Sequence, residues 1–198
     1  MSLEIQKKSA ADFKKVYFRY CKDFPPVARR SYQRVIGTIK EGYSELLFMK
    51  EGYQIIGYAI VNVSSNYNHM ILDYIAVHKN YRNLGYGEKF IQMIFEFYSD
   101  KDGVLGEVEI PELGETDAVK KLRTRRFQFY KRLGFQHIKN VHLNLWEEDY
   151  HLVYYPLKKE LSDTKELVKV LFDLYENFYN DGYHSTTNVQ DYVRIIEK

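Results

Sequence analysis

The part of the chain richest in chemical capability is Ile75-Ala76-Val77-His78-Lys79-Asn80-Tyr81-Arg82-Asn83-Leu84-Gly85-Tyr86-Gly87. An apolar run leads into a basic turn, then a glycine pair, then a helical pattern. Backbone N–H groups at a helix start have no intrahelical partner, and the helix dipole favours negative charge there. Such a turn binds anions, phosphate above all. Gly85 and Gly87 carry no Cβ, so a phosphate can approach the backbone closely. Arg82 adds a positive charge at the same end. Two commoner phosphate motifs are excluded. A P-loop needs Gly-Lys-Ser/Thr after four spacer residues, and this is absent. A dinucleotide fingerprint needs a third glycine three residues after the second, where Phe90 stands. Alone, Arg-x-x-Gly-x-Gly is a weak string, since a plain helix start with a solvated arginine has the same letters.

Elements must position these residues. Residues 3–7 alternate apolar and polar, which predicts a first strand. Ser9 reads as the N-cap of a helix reaching about Asp23, with Phe13, Val16, Tyr17 and Tyr20 on one face. Pro25-Pro26 ends it. Pro26 opens a second helix over 27–40, with Tyr32, Val35, Ile36 and Ile39 as its stripe and Gly42 near its end. Residues 45–50, 54–64 and 69–77 read as an antiparallel meander. A helix at 85–99, a strand at 104–110 and a helix at 117–133 follow, the last closed by Gly134. Strands are expected at 135–145 and 151–157. Asp163 then caps a helix to about Tyr179, and 188–197 reads as a last short helix. The order is α+β, not a regular β-α-β alternation.

Some forty residues past the glycine turn stands Phe129-Tyr130-Lys131-Arg132-Leu133-Gly134-Phe135. The two segments, in this order on these elements, resemble the GNAT superfamily of acetyl-CoA-dependent N-acetyltransferases, in a bacterial-type form. The resemblance spans residues 3–157 in element order. It implies an α+β fold of GNAT type. That is a central mixed, mostly antiparallel sheet of about seven strands flanked by helices. Residues 1–158 would form this domain. Residues 159–198 would form a helical C-terminal extension, packed on the domain first, with a homodimer contact second.

The resemblance also implies roles. Ile75, Ala76 and Val77 match the strand whose exposed backbone pairs with the pantetheine arm, like an added strand. The N–H of Val77 or Ala76 would donate to the thioester oxygen. Arg82, Asn83, Leu84, Gly85, Tyr86 and Gly87 match the pyrophosphate turn. Tyr130 matches the general acid that protonates the leaving thiolate. Arg123 and Arg126 stand where many members carry Asn and Ala. They would form a solvated basic face, or else contact CoA phosphates or an acidic substrate, and Arg126 is a candidate for the cofactor contact. The base would be Glu109, Glu107 or Asp73. Glu107 and Glu109 are two apart on a strand and share a face, and two close carboxylates raise one pKa. That pair could equally hold a cationic substrate or satisfy arginines.

The implied activity moves the acetyl group of acetyl-CoA to a primary amine, on a small molecule or a protein, by direct transfer in a ternary complex. The alternative is a catalytically weak acyl-CoA-binding module with a regulatory role. Composition narrows the classes further. The 198 residues carry a net charge of +2, without the basic excess of a nucleic-acid binder. A single cysteine, Cys21, excludes an intramolecular disulfide framework and reads as a small buried hydrophobe. The six histidines show no ligand spacing, so no metal is expected. No apolar run has the length of a signal peptide or membrane span, which predicts a cytoplasmic protein away from the membrane. Nineteen tyrosines are the unusual number, and aromatic side chains mostly serve cores.

Overall fold

The computed structural model describes residues 2–145, 148–161 and 163–179. The expected helix at 188–197 lies outside them. β1 (Leu3–Lys8) opens the chain. Ser9 and Asp12 then close a capping box, with the Ser9 N–H and hydroxyl donating to Asp12 Oδ2 at 3.2 and 2.7 Å. One 3-10 turn at Ala10–Phe13 leads into α1 (Lys14–Asp23). The second helix is shorter than its sequence pattern. Pro26–Ala28 makes a single 3-10 turn, and α2 (Tyr32–Lys40) starts only after Ser31, whose side chain accepts the Arg34 N–H at 3.2 Å. The three residues between are drawn inward by Arg30, whose side chain is buried among polar partners described below.

The meander follows as β2 (Ser44–Glu51), β3 (Gln54–Val63) and β4 (His69–Val77). Then come α3 (Tyr86–Phe97), β5 (Gly103–Glu109), α4 (Asp117–Arg132), β6 (Gln136–Leu145), β7 (Glu148–Pro156) and α5 (Thr164–Tyr179). Among the described residues, seven strands form one sheet in the order β1-β2-β3-β4-β5-β7-β6. Every neighbouring pair is antiparallel except β4–β5. β2 and β3 are near-continuous apolar runs because helices cover both faces. On one face, Phe13, Val16, Tyr20 and Val35 pack over Leu46, Phe48, Tyr58, Ile60 and Tyr74. On the other, Phe90, Ile91 and Ile94 of α3 pack over Leu47, Met49, Ala59, Met70 and Leu72. α5 lays Leu167, Val170, Leu171 and Leu174 on Ile71, Leu105, Leu152 and Tyr154. Six of the described tyrosines, Tyr20, Tyr58, Tyr74, Tyr98, Tyr154 and Tyr175, are buried in this core. Tyr20, Tyr58, Tyr154 and Tyr175 are among the largest fully buried side chains.

Two irregularities open the sheet. The β3–β4 register shifts between Ile60↔Tyr74 and Val61↔Leu72, which leaves Asp73 as the extra residue of a bulge. β4 pairs with β5 only from His69↔Gly103 to Ile71↔Leu105. Beyond that point the strands part, while β5 stays paired with β7 as far as Glu109↔Tyr150.

Candidate active site

The gap between β4 and β5 leaves one edge of β4 without a strand partner. His78 donates its N–H to the Ile56 carbonyl at 2.8 Å. An antiparallel ladder alternates, so Tyr74 and Ala76 turn their backbone groups to β3, and Ile75 and Val77 turn theirs to the gap. The Val77 carbonyl there accepts from Arg82 Nε at 3.0 Å. The bulge also places the Asp73 and Tyr74 side chains on the same sheet face, over the α1–α2 loop, where Tyr74 donates to the Ala28 carbonyl at 2.8 Å.

The glycine turn sits at the mouth of this gap. Asn83 has φ 63° and Gly85 φ 80°, both left-handed. A Cβ at Gly85 would meet nothing within 4 Å, so the glycine is required by its backbone and not by space. The first intrahelical bond of α3 is Lys89 N–H to Gly85 carbonyl at 3.1 Å. The amides before it therefore have no partner within the helix. Arg82 fastens the turn to α1 through Asp23 at 2.5 Å, and Asp23 also accepts the Tyr58 hydroxyl at 3.1 Å. Arg125 donates to the Asn83 side chain from α4. A Cβ at Gly87 would make an ordinary 3.6 Å contact with the Phe129 ring.

A cleft of about 380 Å³ opens from the gap. Tyr130, Glu107, Glu109 and Asp73 all line it, with Ile75, Ala76, Val77, Arg82 and Arg126. The α1–α2 loop adds Phe24 and Pro25, β6 adds Leu145 and β7 adds Tyr150. Leu84, Gly85 and Tyr86 line a separate surface depression beside β1, and Asn83 and Gly87 line neither.

The three carboxylates differ in their partners. Asp73 is ion-paired with Arg30 and accepts the Asn62 amide at 3.1 Å. Arg30 also reaches Thr38 and Asn62, and Ser44 donates to Asn62 at 2.6 Å, so Asp73 anchors a buried polar network. Burial pushes the Asp73 carboxyl upward, and the Arg30 guanidinium opposes the shift. Glu109 is held by Arg126, whose Nη1 lies 2.7 and 2.8 Å from its two oxygens. Glu107 has no cation within ion-pairing distance among the described residues. It accepts the Tyr175 hydroxyl of α5. Burial pushes its carboxyl up to about 8, the charge of Asp73 adds to this, and Arg30 offsets part of it.

Tyr130 lies in the last turn of α4, where its carbonyl accepts the Leu133 and Phe135 N–H groups, each at 3.1 Å. Its ring meets Phe135 edge-on at 5.3 Å. Burial pushes the phenol up to about 12, with Arg126 lowering and Glu109 raising it. No described residue hydrogen-bonds its hydroxyl.

The basic run on α4 is not a solvated face throughout. Arg123 is buried, donating to the Ile110 carbonyl at 3.3 Å and to Glu148 at 3.2 Å, which pins the β5–α4 loop to β7. Three residues of the site carried no sequence signal: Arg30 and Tyr150, which stand in ordinary contexts, and Tyr175, which continues the apolar stripe of α5. Among the described residues, no group of three or more His, Cys, Asp or Glu side chains is placed to hold a metal. No described helix is long and apolar enough to cross a membrane.

Residues 42–137 match the family model of the acetyltransferase (GNAT) domain. The match spans just under half of the chain, and members of that family typically use acetyl-CoA. No curated protein matches the sequence. Among solved structures, the fold is similar to a GNAT-family protein from Bacteroides thetaiotaomicron, with TM-score 0.69 and 20% identity, covering 87% of this chain and 96% of that one. It is similar to the ribosomal-protein-S18-alanine N-acetyltransferase from Escherichia coli, with TM-score 0.60 and 16% identity, covering 82% and 98%. It is also similar to the dodecameric spermidine N-acetyltransferase from Vibrio cholerae, with TM-score 0.60 and 9% identity, covering 82% and 98%. At these identities the likeness is one of fold.

Proposed function

We propose that the protein transfers the acetyl group of acetyl-CoA directly to a primary amine within a ternary complex. The observation that carries this reading is the gap between β4 and β5, which joins an unpaired strand edge, the Arg82 side chain that precedes the turn of free amides and a carboxyl pushed to about 8 in one cleft. Acetyl-CoA supplies an activated acyl group as a thioester. The gap-facing backbone of Ile75 and Val77 would pair with its extended arm. The amides that begin α3, with Arg82, Asn83 and Leu84 before them, would hold its pyrophosphate.

The Val77 N–H points into the gap and donates to the thioester carbonyl oxygen, where negative charge develops. Glu107 takes the proton of the attacking amine, directly or through a water, as the N–C bond forms. The C–S bond breaks, and Tyr130 donates its hydroxyl proton to the departing sulfur. Asp73 and Glu109 take structural parts, since each already neutralises a guanidinium. The acceptor, on a small molecule or a protein, enters from the side of Phe24, Pro25 and Tyr150.

A thiol-release assay with acetyl-CoA over a panel of amines tests the reading. Tyr130→Phe should lower kcat roughly 100-fold and leave the CoA-induced rise in melting temperature intact. Full activity in that variant removes Tyr130 from the chemistry. Failure of CoA to raise the melting temperature of the unaltered chain sinks the whole assignment.

A further inference from the structure

We propose that α5 completes the active site, with Tyr175 acting as a positioning residue that holds the Glu107 side chain in the cleft and sets its proton affinity. The proposal rests on the reading above that Glu107 is the base. α5 lies outside residues 42–137, so the family match says nothing about it.

The placement of α5 is built from its sequence. Leu167, Val170, Leu171 and Leu174 bury one stripe on β4 to β7. Asp173, itself buried, accepts from the hydroxyl of Ser64, the N–H groups of Ser65 and Asn66 at 3.1 and 3.5 Å, and the Asn66 side chain. This ties α5 to the β3–β4 turn. Two residues on, and so on another side of the helix, Tyr175 reaches β5. The two anchors leave the helix little freedom to rotate or slide.

Tyr175 is only 1% exposed. A phenol buried that deeply has lost water and needs a partner for its O–H. Glu107 provides one. Donation to the ionised carboxylate favours the charged form, so Tyr175 works against the burial and the Asp73 charge that push Glu107 upward. The charged and titratable groups facing Glu107 are Asp73 from β4, Arg30 from the α1–α2 loop, Tyr150 from β7 and Tyr175 from α5. Arg30 is spent largely on Asp73. The phenol of Tyr175 is thus the nearest donor that can stabilise the ionised base.

Tyr175→Phe keeps the ring and removes only the hydroxyl. In the protein without substrates, carbon-13 NMR of labelled glutamate should show the Glu107 midpoint moving up by about one pH unit. The acid limb of kcat/KM should move the same way, with kcat/KM below pH 7 falling roughly tenfold. KM for acetyl-CoA and the CoA-induced rise in melting temperature should not change. A variant that only melts earlier, with midpoint and limb unmoved, overturns the proposal and leaves Tyr175 a packing residue. If the variant does not fold, labelled tyrosine in the unaltered chain decides. The Tyr175 Cζ resonance should step at the Glu107 midpoint and lose that step in Glu107→Gln, and no step overturns the proposal. If no amine yields thiol release, the transfer reading fails, while the two NMR readouts still judge Tyr175.

Discussion

Glu107 and Glu109 point to the same side of one strand, yet their surroundings make them chemically different. Arg126 neutralises Glu109, whereas Glu107 meets a phenol and a neighbouring carboxylate. The consequence for stability has a definite sign. The folded Glu107 has its pKa raised from 4.5 to about 8. Its contribution to stability is therefore fully present below the unfolded value and is lost as pH rises through about 8. Glu107→Gln removes this dependence. Its melting temperature relative to the unaltered chain should rise between pH 5 and pH 9, and a constant difference across that range would show that Glu107 is not perturbed. The same variant should lose roughly 100-fold or more in kcat/KM at pH 8. Tyr130, pushed up to about 12, remains protonated throughout this range, as the proposed transfer to sulfur requires.

At the scale of elements, the turn before α3 carries its information in the backbone. Gly85 holds φ 80° with open space where a Cβ would stand. Gly85→Ala should then cost about 1–2 kcal/mol through left-handed strain alone and weaken CoA binding by disturbing the amides. Thermal melting with and without CoA checks this: both the melting temperature and the CoA-induced rise should fall. An unchanged rise would place the pyrophosphate elsewhere. The turn was legible in the sequence because its requirements are local. The same holds for the box of Ser9 and Asp12, and for the helix start at Asp163, whose side chain accepts the Lys165 N–H at 2.9 Å. The start of α2 was not legible. Pro26 favours a helix start by local rules, but Arg30 has its partners on β3 and β4, far along the chain, and they hold this segment out of the helix.

At the scale of the molecule, the cleft carries a nearly balanced set of charges. Asp23 is matched by Arg82, Asp73 by Arg30 and Glu109 by Arg126. Among the described residues only Glu107 of the cleft carboxyls lacks a cation. One ammonium can be received there, and a second finds no unmatched acid, so it is desolvated without return. Under the proposed activity, kcat/KM for a primary monoamine on an apolar body should exceed that for spermidine by at least roughly tenfold. Competition between the two amines in a single thiol-release assay reads this directly, and a preference for spermidine would show that the charge balance does not govern acceptor choice.

The sequence by itself determined the order of elements, the glycine turn at 82–87, the Tyr130 helix end and the resemblance these carry. All of these rest on short-range rules of periodicity, capping and backbone conformation. Only the tertiary structure decided which carboxyl stands without a cation among the described residues. That choice depends on who stands opposite each carboxylate: Arg30 from a loop, Arg126 from α4 and Tyr175 from α5. These partners are separated from the acids by 43, 17 and 68 residues along the chain. Coulomb and hydrogen-bond energies depend on distance in space, and no local pattern encodes that distance.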